Sequence, residues 1–350
     1  MELQKLSLFA FLLPILITTQ VFADDCTCET EEIAGNKNKA LEFKLIALVS
    51  ILIAGCIGVS LPFAGKVVPA LRPEKYSFFV VKAFAAGVIL ATGFIHILPD
   101  AFKNLTSRCL KEHPWRDFPF TGLVAMVATI ATLLFETLST AYQQRVQTEI
   151  VAKLVGSGGD EENKGGIVGA HMHTRHVHSH GSMLQIDNSE IHRYRIVSQV
   201  LELGIIVHSV IIGLSLGASK SPKTIKPLIV ALSFHQFFEG LGLGGCIFQA
   251  DINSLAVTLM GTLFALTTPG GIVIGILVSN TYDENSPTAL IVQGVLNAAA
   301  SGILIYMALV DLLSPDFKNP RMQNNKILLV VSNVSLLLGA GLMSLLAKWA

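Results

Sequence analysis

Two stretches of the chain decide the fold: IIVHSVIIGLSLG, residues 205–217, and LSFHQFFEGLGLGG, residues 232–245. Each is apolar enough to run through a lipid bilayer, yet together they place His208, His235 and Glu239 in hydrocarbon. A charge at the bilayer centre costs at least about 2.5–3.5 kcal/mol on insertion scales. These three side chains therefore need partners, and the kind of partner decides the function.

The composition of the whole chain indicates a membrane protein. Of its 350 residues, 51% are hydrophobic and 14% are charged, whereas soluble domains carry about 25% charged residues. Within a bilayer each spanning segment has to satisfy its own backbone hydrogen bonds, which favours helices. The sequence therefore predicts an all-α polytopic membrane protein. Its formal net charge is zero, so no nucleic-acid partner is expected.

Apolar runs near or above the about 20 residues that a spanning helix needs recur along the chain. We predict eight transmembrane helices, at residues 41–64, 78–101, 118–142, 196–219, 225–249, 254–280, 288–313 and 327–346. The first three helices form one block, within 41–142, and the other five form a second block, within 194–350.

The first residues have the pattern of a secretory signal peptide. Lys5 precedes an apolar run at 6–17, and a small-residue cleavage site of the A-x-A type follows. We predict a signal peptide over residues 1–23; the alternative is an uncleaved first span. Cleavage leaves an extracellular segment, 24–40, and eight spans then return the C-terminus to the same side. Loop charges support this orientation only weakly. The predicted location is the plasma membrane, with both termini extracellular.

The longest polar segment, 143–193, separates the third and fourth predicted helices and is rich in glycine, serine and charge. Such a composition predicts a cytosolic, disordered loop. Its histidines can chelate metal without a preformed geometry, and they are His171, His173, His176, His178 and His180. We interpret them as a cytosolic metal buffer or sensor; the alternative is a solvated linker with incidental histidines.

The polar residues of the opening stretches lie near the middle of the fourth and fifth predicted helices. His235 and Glu239 are four residues apart and share one helix face. A short loop makes the two helices antiparallel neighbours, so His208 can face the other two side chains. Two imidazoles and a carboxylate suit zinc and related divalent ions. A midplane metal site is the favoured interpretation; the alternative is a metal-free His–Glu pair that joins two helices.

Further polar residues indicate a path on either side of this site. His96 and Asp100 are four residues apart at the predicted outer end of the second helix, and they are candidate entrance ligands. Carboxylates predicted towards the cytosol are candidate exit ligands: Glu202, Glu136 and Asp311. The alternative for these three is that they are solvated side chains near helix ends.

Three cysteines are predicted to be extracellular, where disulfides persist. These are Cys26, Cys28 and Cys109. We predict that Cys109 pairs with Cys26 or Cys28, which would tie the N-terminal segment to the loop after the second helix.

The two opening motifs, VHSVIIGLSLG from Val207 and HQFFEGLGLGG from His235, resemble the signature pair of the ZIP family of zinc- and iron-regulated transporter-like metal-ion transporters. HILPD in the second helix and the His-rich loop add to the resemblance. It implies uptake of Zn²⁺, with Fe²⁺, Mn²⁺ and Cd²⁺ as further substrates, by alternating access. The implied ligands are His208, His235 and Glu239. Helices four and five would be central, with helices one to three and six to eight pseudo-symmetric. The metal is cargo, so no cofactor is expected.

The chain departs from the family pattern in two ways. Family members with a two-metal centre carry His-Asn-x-Pro-Glu-Gly in helix four and an aspartate in helix five, where this chain has Ser209, Ile212 and Gln236. We therefore expect one metal, with Ser209 and Gln236 at most as weak ligands or partners of the ligands. Iron-transporting plant relatives carry an acidic residue where this chain has Lys103, which favours zinc.

Three other functions stay open at this point. A membrane metal sensor or receptor would bind metal without moving it, and an exporter would move it outwards. An intramembrane zinc hydrolase would need a general base beside its ligands, but the sequence contains no HExxH motif. We therefore expect no enzyme. The expected partners are divalent metal ions and the lipid bilayer, with a homodimer left open.

Overall fold

The computed structural model describes residues 37–66, 75–156, 177–279 and 286–348. Within these ranges the regular structure is entirely helical. The prediction of an all-helical polytopic membrane protein is confirmed. The predicted signal peptide and most of the extracellular segment 24–40 lie outside the described residues.

The long helices of the described ranges are numbered α1 to α8. They are α1 Lys37–Ser60, α2 Tyr76–Leu105, α3 Phe120–Gly156, α4 Val177–Ala218, α5 Pro222–Gln249, α6 Ser254–Val278, α7 Pro287–Lys318 and α8 Lys326–Ala347. Short helical turns cover Leu61–Lys66, Glu112–Trp115 and Pro320–Gln323.

Of these helices, seven are long and apolar enough to cross a membrane, and α5 is the exception. Helix α5 has 28 residues, which at about 1.5 Å per residue is ample length for a bilayer. Its middle carries His235, Gln236 and Glu239, which lower its mean hydropathy. The side chains that define the candidate site thus also weaken the hydrophobic signal of the helix that bears them.

Helical structure extends into both ends of segment 143–193. Helix α3 continues to Gly156, and α4 already begins at Val177. The extension of α3 is rich in Gln, Glu, Lys, Leu and Val, and that of α4 in Ser, His and Ile. Once a spanning helix has formed, each further residue lengthens it without the cost of a new nucleus. His178 and His180 lie in the first turn of α4, whereas His171, His173 and His176 lie outside the described residues.

Side-chain caps fix where three of the helices begin. Asn253 accepts a hydrogen bond from the Ala256 backbone N–H at 2.8 Å ahead of α6. Asn325 does the same for the Leu328 N–H at 3.0 Å ahead of α8, and Ser286 precedes Pro287 at the first position of α7. Each cap satisfies a backbone donor that the first helical turn leaves unpaired.

The helices pack as two groups of four. Contacts of α1 with α5 and with α6, and of α4 with α6, define the first group. In the second group, α2 packs on α8 and on α7, and α3 packs on α7. The two groups meet where α4 faces α7 and where α2 faces α5.

Glycines let the backbones touch within each group. A methyl group on Gly217 of α4 would overlap the carbonyl oxygen of Ile272 on α6, and one on Gly275 would overlap that of Leu214. Between the groups the contacts are different in kind: Gly204 faces the Ile303 side chain, and Gly242 faces the Ile89 side chain. Close small-residue packing therefore holds each group together, while side chains line the boundary.

Replacement of Gly275 by alanine should destabilise the first group. The added methyl has only backbone atoms of α4 to push against, and overpacking of this kind costs about 1–3 kcal/mol. We expect the thermal unfolding midpoint of the purified protein to drop by several degrees. Gly270, also on α6, has no heavy atom within 4 Å of an added methyl, so Gly270→Ala is the matched control. Equal midpoints for the two variants would contradict this account.

Candidate functional site

Three histidines from three helices meet at the centre of the bundle. The ring centroids lie 5.6 Å apart for His96 and His208, 5.8 Å for His96 and His235, and 5.9 Å for His208 and His235. His96 is 3% exposed, His208 2% and His235 1%. Helices α2, α4 and α5 thus contribute one imidazole each to a nearly equilateral, buried triangle.

The structure brings His208 and His235 together as the sequence analysis expected, and it adds His96. That residue was predicted at the outer end of its helix, as an entrance ligand. Helix α2 instead continues to Leu105, which leaves His96 well inside the helix. Pro99 does not end the helix; it follows directly on the π-helical turn Thr92–Ile97, where the regular α-helical hydrogen-bond pattern is already interrupted.

A change in helical winding orients His96. Residues Thr92–Ile97 are wound as a π-helix, a rare feature that adds a residue to one turn and is frequent at functional sites. The Thr92 hydroxyl donates to the Val88 carbonyl at 3.0 Å, and the Ser301 hydroxyl of α7 donates to the Gly93 carbonyl at 3.1 Å. These two bonds support carbonyls in and beside the widened turn.

Glu239 lies one turn beyond His235 and is fully buried. Neither of its carboxylate oxygens has a hydrogen-bond partner. The same is true of each ring nitrogen of His208, of Nδ1 of His235 and of Nε2 of His96. Buried polar atoms are nearly always paired in folded proteins. So many unpaired nitrogen and oxygen atoms in one place form a set of donors suited to a borderline divalent cation.

The side chains of these candidate ligands do not yet point to one common position that a metal ion could occupy. Among the described residues, no group of three or more His, Cys, Asp or Glu side chains has the arrangement of a metal shell. Side-chain rotations would therefore have to accompany binding. The arrangement is one of gathered ligands of the right chemistry, contributed by both helix groups.

The two flanking positions, Ser209 and Gln236, are both buried. Gln236 is held by α6: its side-chain amide donates to the Phe264 carbonyl at 3.4 Å, and its Oε1 accepts from the Thr268 hydroxyl at 3.1 Å. Both ends of this amide are thus already in use.

Sequence reasoning missed one neighbour of the site. Asn297 on α7 is buried and interacts with the His208 side chain, while its own Oδ1 has no partner. A lone asparagine within the apolar run of α7 was the available signal.

The candidate entrance and exit residues lie apart from the triangle. Asp100 is half-buried and within electrostatic range of His96. Glu202 is buried on α4, and one of its oxygens has no partner. Glu136 accepts a hydrogen bond from the Tyr306 hydroxyl at 2.7 Å. Asp311 is buried close to Glu136, in a second π-helical turn, Met307–Leu313, and neither of its oxygens has a donor.

Cys109 takes part in a disulfide, whereas Cys56 and Cys246 are free. Cys26 and Cys28, the two predicted partners, lie outside the described residues. The pairing itself therefore stays a prediction.

A bundle of apolar helices that gathers unpaired imidazoles and a carboxylate at its centre defines a multi-pass membrane protein with a candidate site for a cation. Comparison with known proteins makes this specific. The family model described as ZIP Zinc transporter matches residues 41–347. The chain belongs to the ZIP family.

Relatives match the chain over nearly its full length. Zinc transporter 3 of Arabidopsis thaliana is 51% identical, covering 99% of this chain and 98% of that protein. Zinc transporter 8 of Oryza sativa subsp. japonica is 50% identical over 92% of each chain. Fe(2+) transport protein 1 of the same rice is 45% identical, over 97% of this chain and 93% of that protein.

Proposed function

We propose that this protein carries divalent metal ions, with zinc as the main substrate, across a membrane and into the cytosol. The observation that supports it most directly is the buried triangle of His96, His208 and His235 beside the unpaired Glu239. Family membership and the zinc transporters among the relatives support the same conclusion. The relatives are transporters, which is consistent with a protein that is not an enzyme.

The proposed fold has eight spans, with α5 as the one that hydropathy alone does not identify. The pattern of helix contacts supports pseudo-symmetry. Exchange of α1 with α6 and of α4 with α5 turns the α1–α5 contact into the α6–α4 contact. Exchange of α2 with α7 and of α3 with α8 likewise turns the α2–α8 contact into the α7–α3 contact. The π-helical turns of α2 and α7 also correspond under this exchange.

The location of the ligands supports alternating access. His208, His235 and Glu239 belong to the first helix group, whereas His96 and Asn297 belong to the second. A shift of one group against the other would therefore assemble the site or take it apart. An ion bound at the boundary could leave when the two halves of its shell separate.

The chemistry of the donors suits transient binding. Neutral imidazoles supply lone pairs at little cost when no metal is present, and the Glu239 carboxylate offsets half the charge of a dication. Asp100 would lead the ion in, and Glu202, Asp311 and Glu136 would lead it out. One metal is proposed rather than two, because Gln236 is tied to α6.

Zinc is proposed ahead of iron on two grounds. Sites of nitrogen and oxygen donors bind Zn²⁺ more tightly than Fe²⁺ or Mn²⁺. Lys103 follows Asp100 on α2 and brings a positive charge to a position where iron carriers place an acid. Exclusion of Cd²⁺ is not expected, because imidazole and carboxylate ligands do not discriminate strongly against it.

Competitive uptake into sealed vesicles tests the proposal. The full-length protein, reconstituted in known orientation, should carry Zn²⁺ inwards, and unlabelled Zn²⁺ should compete better than Fe²⁺ or Mn²⁺. Binding without uptake would favour the sensor, and uptake only in the opposite orientation would favour the exporter. Either result would contradict inward transport.

A further inference from the structure

A second polar cluster lies at one end of the bundle, away from the histidine triangle. We call it the inner cluster, and its members are Lys82, Glu136, Arg193, Tyr194, Tyr306, Asp311 and Asp316. It lies near the start of α2, near the end of α7 and where the apolar span of α4 begins, at Arg193. These helix ends are on the predicted cytosolic side.

One part of the inner cluster is an ion pair between Lys82 and Asp316. Lys82 Nζ donates to Asp316 Oδ1 at 3.1 Å, and the two side chains are only 5% and 11% exposed. The Lys82 ammonium also lies 5.9 Å from the centre of the Tyr194 ring. A buried ion pair is seldom more stabilising than apolar residues of the same shape. Its presence at the end of a transmembrane bundle therefore calls for a role other than stability.

The other side of the inner cluster belongs to Arg193. Its guanidinium carbon lies 5.5 Å from the Tyr194 ring centre, and its Nε lies 4.0 Å from Glu136 Oε1. Nε and Nη2 of Arg193 are buried without a hydrogen-bond partner. The arginine is thus near its carboxylate without being locked to it, an arrangement that can shift.

The inner cluster bridges the two helix groups. Arg193 and Tyr194 come from α4 of the first group, whereas Lys82, Glu136 and Asp316 come from α2, α3 and α7 of the second. It contains two cations and three carboxylates, and the Asp311 oxygens have no donor. The boundary that would have to open for release therefore carries one carboxylate more than cations, and Lys82 and Arg193 both act electrostatically on Asp311.

We propose that Lys82 and Arg193 are tethered cations that close the inner end of the transport path. With no metal at this end, Lys82 pairs with Asp316 against Tyr194, and Arg193 faces Glu136, which holds α4 against the second group. A dication that reaches Asp311 repels both cations, and the inner end opens. Lys82 acts through Asp316 and is a positioning residue. This inference rests on the proposed transport function.

The chain carries its own reporter of opening. Cys246 on α5 is a free thiol, fully buried, and it interacts electrostatically with Lys82, Asp311 and Asp316. A water-soluble maleimide can reach it only when the inner end opens. The rate at which Cys246 is modified, read by mass spectrometry of its peptide and divided by the rate in the same protein unfolded in detergent, measures opening without any transport.

The test variant is Lys82→Met combined with Asp316→Asn, which removes the pair and leaves neither partner as an unpaired charge. In metal-free protein we expect Cys246 to be modified about tenfold faster than in the parent, because the Lys82 ammonium no longer lies against the Tyr194 ring of α4 and the opening equilibrium has lost that contact across the boundary. Zn²⁺ should accelerate modification of the parent. Lys82→Arg, which keeps the charge, should stay slow.

Maximal zinc uptake by the double variant should drop about fivefold with its KM little changed, because a step after binding is impaired.

Lys44 provides the matched control. It is a second buried lysine, on α1 and near Lys220 rather than in the inner cluster. Lys44→Met should leave Cys246 modification unchanged, and acceleration there would attribute the effect to general loosening and overturn the proposal. Unchanged modification in the double variant would overturn it as well. If that variant does not yield monodisperse protein, Arg193→Gln replaces it under the same criterion. A parent without zinc uptake would refute transport and leave the modification rates interpretable.

Discussion

Replacement of His235 by alanine removes metal uptake. The variant takes away one of three imidazoles that lie within 6 Å of one another, and no described side chain stands ready to replace it. Even the loss of a group that merely orients a metal ligand costs about 10–100-fold in affinity or activity, so loss of a ligand should lower initial uptake of Zn²⁺ by more than about 100-fold. Glu239→Gln, which keeps the shape of the side chain, should have a comparable effect through charge alone.

The measurement is initial uptake of radioactive zinc into vesicles, normalised to the amount of inserted protein. Gln249→Ala is a suitable control, because Gln249 lies on the same helix and its side-chain amide donates a hydrogen bond to the Gly245 carbonyl of that helix. Its uptake should match that of the parent. A His235→Ala protein that is inserted normally and still transports at a third of the parent rate would remove the histidine triangle from the mechanism.

Replacement of His96 by alanine should be nearly as severe, and it separates two descriptions of this residue. If His96 were only an entrance ligand, its loss would raise the KM for uptake and leave zinc binding to the purified protein unchanged. The structure places its ring at 5.6 Å from His208 and 5.8 Å from His235. We therefore expect zinc binding itself to weaken by at least about tenfold.

Calorimetric titration of the purified variant with Zn²⁺ decides between the two. Asp100→Asn is the companion variant, because Asp100 lies one turn further along α2 and is only half-buried. It should alter KM and leave the binding constant near that of the parent. Equal binding constants for His96→Ala and the parent would return His96 to the entrance.

How far the sequence predicted the site depends on the range over which each signal acts. His208, His235 and Glu239 were found because helical spacing and a short connection are local properties. His96 was recognised as a candidate but placed nearer the outer end of its helix, since the helix continues from the predicted end at residue 101 to Leu105 and contains a π-helical turn. Nothing in local spacing specifies such a turn.

Contacts between distant segments were beyond the sequence. Lys82 and Asp316 are separated by 234 positions, and only the packing of α2 and α7 brings them together. Asn297 reaches His208 for the same reason. The helix at 225–249 was predicted from the sequence, although the polar ligands that α5 carries make it less hydrophobic than its neighbours. Helices α3 and α4 extend beyond the predicted spans 118–142 and 196–219, because hydropathy locates the apolar part of a helix and not its polar continuation.

The glycine contacts have a mechanical consequence. Where backbones touch, as between Gly217 and Gly275, neither helix has a ridge over which the other could slip, so each group of four is stiff. At the boundary between the groups, by contrast, the Ile303 side chain packs against Gly204 and the Ile89 side chain against Gly242. Such side chains can change rotamer when one group moves against the other. A change of a single methylene at Ile303 or Ile89 should therefore alter the rate of transport, although neither residue is a candidate ligand.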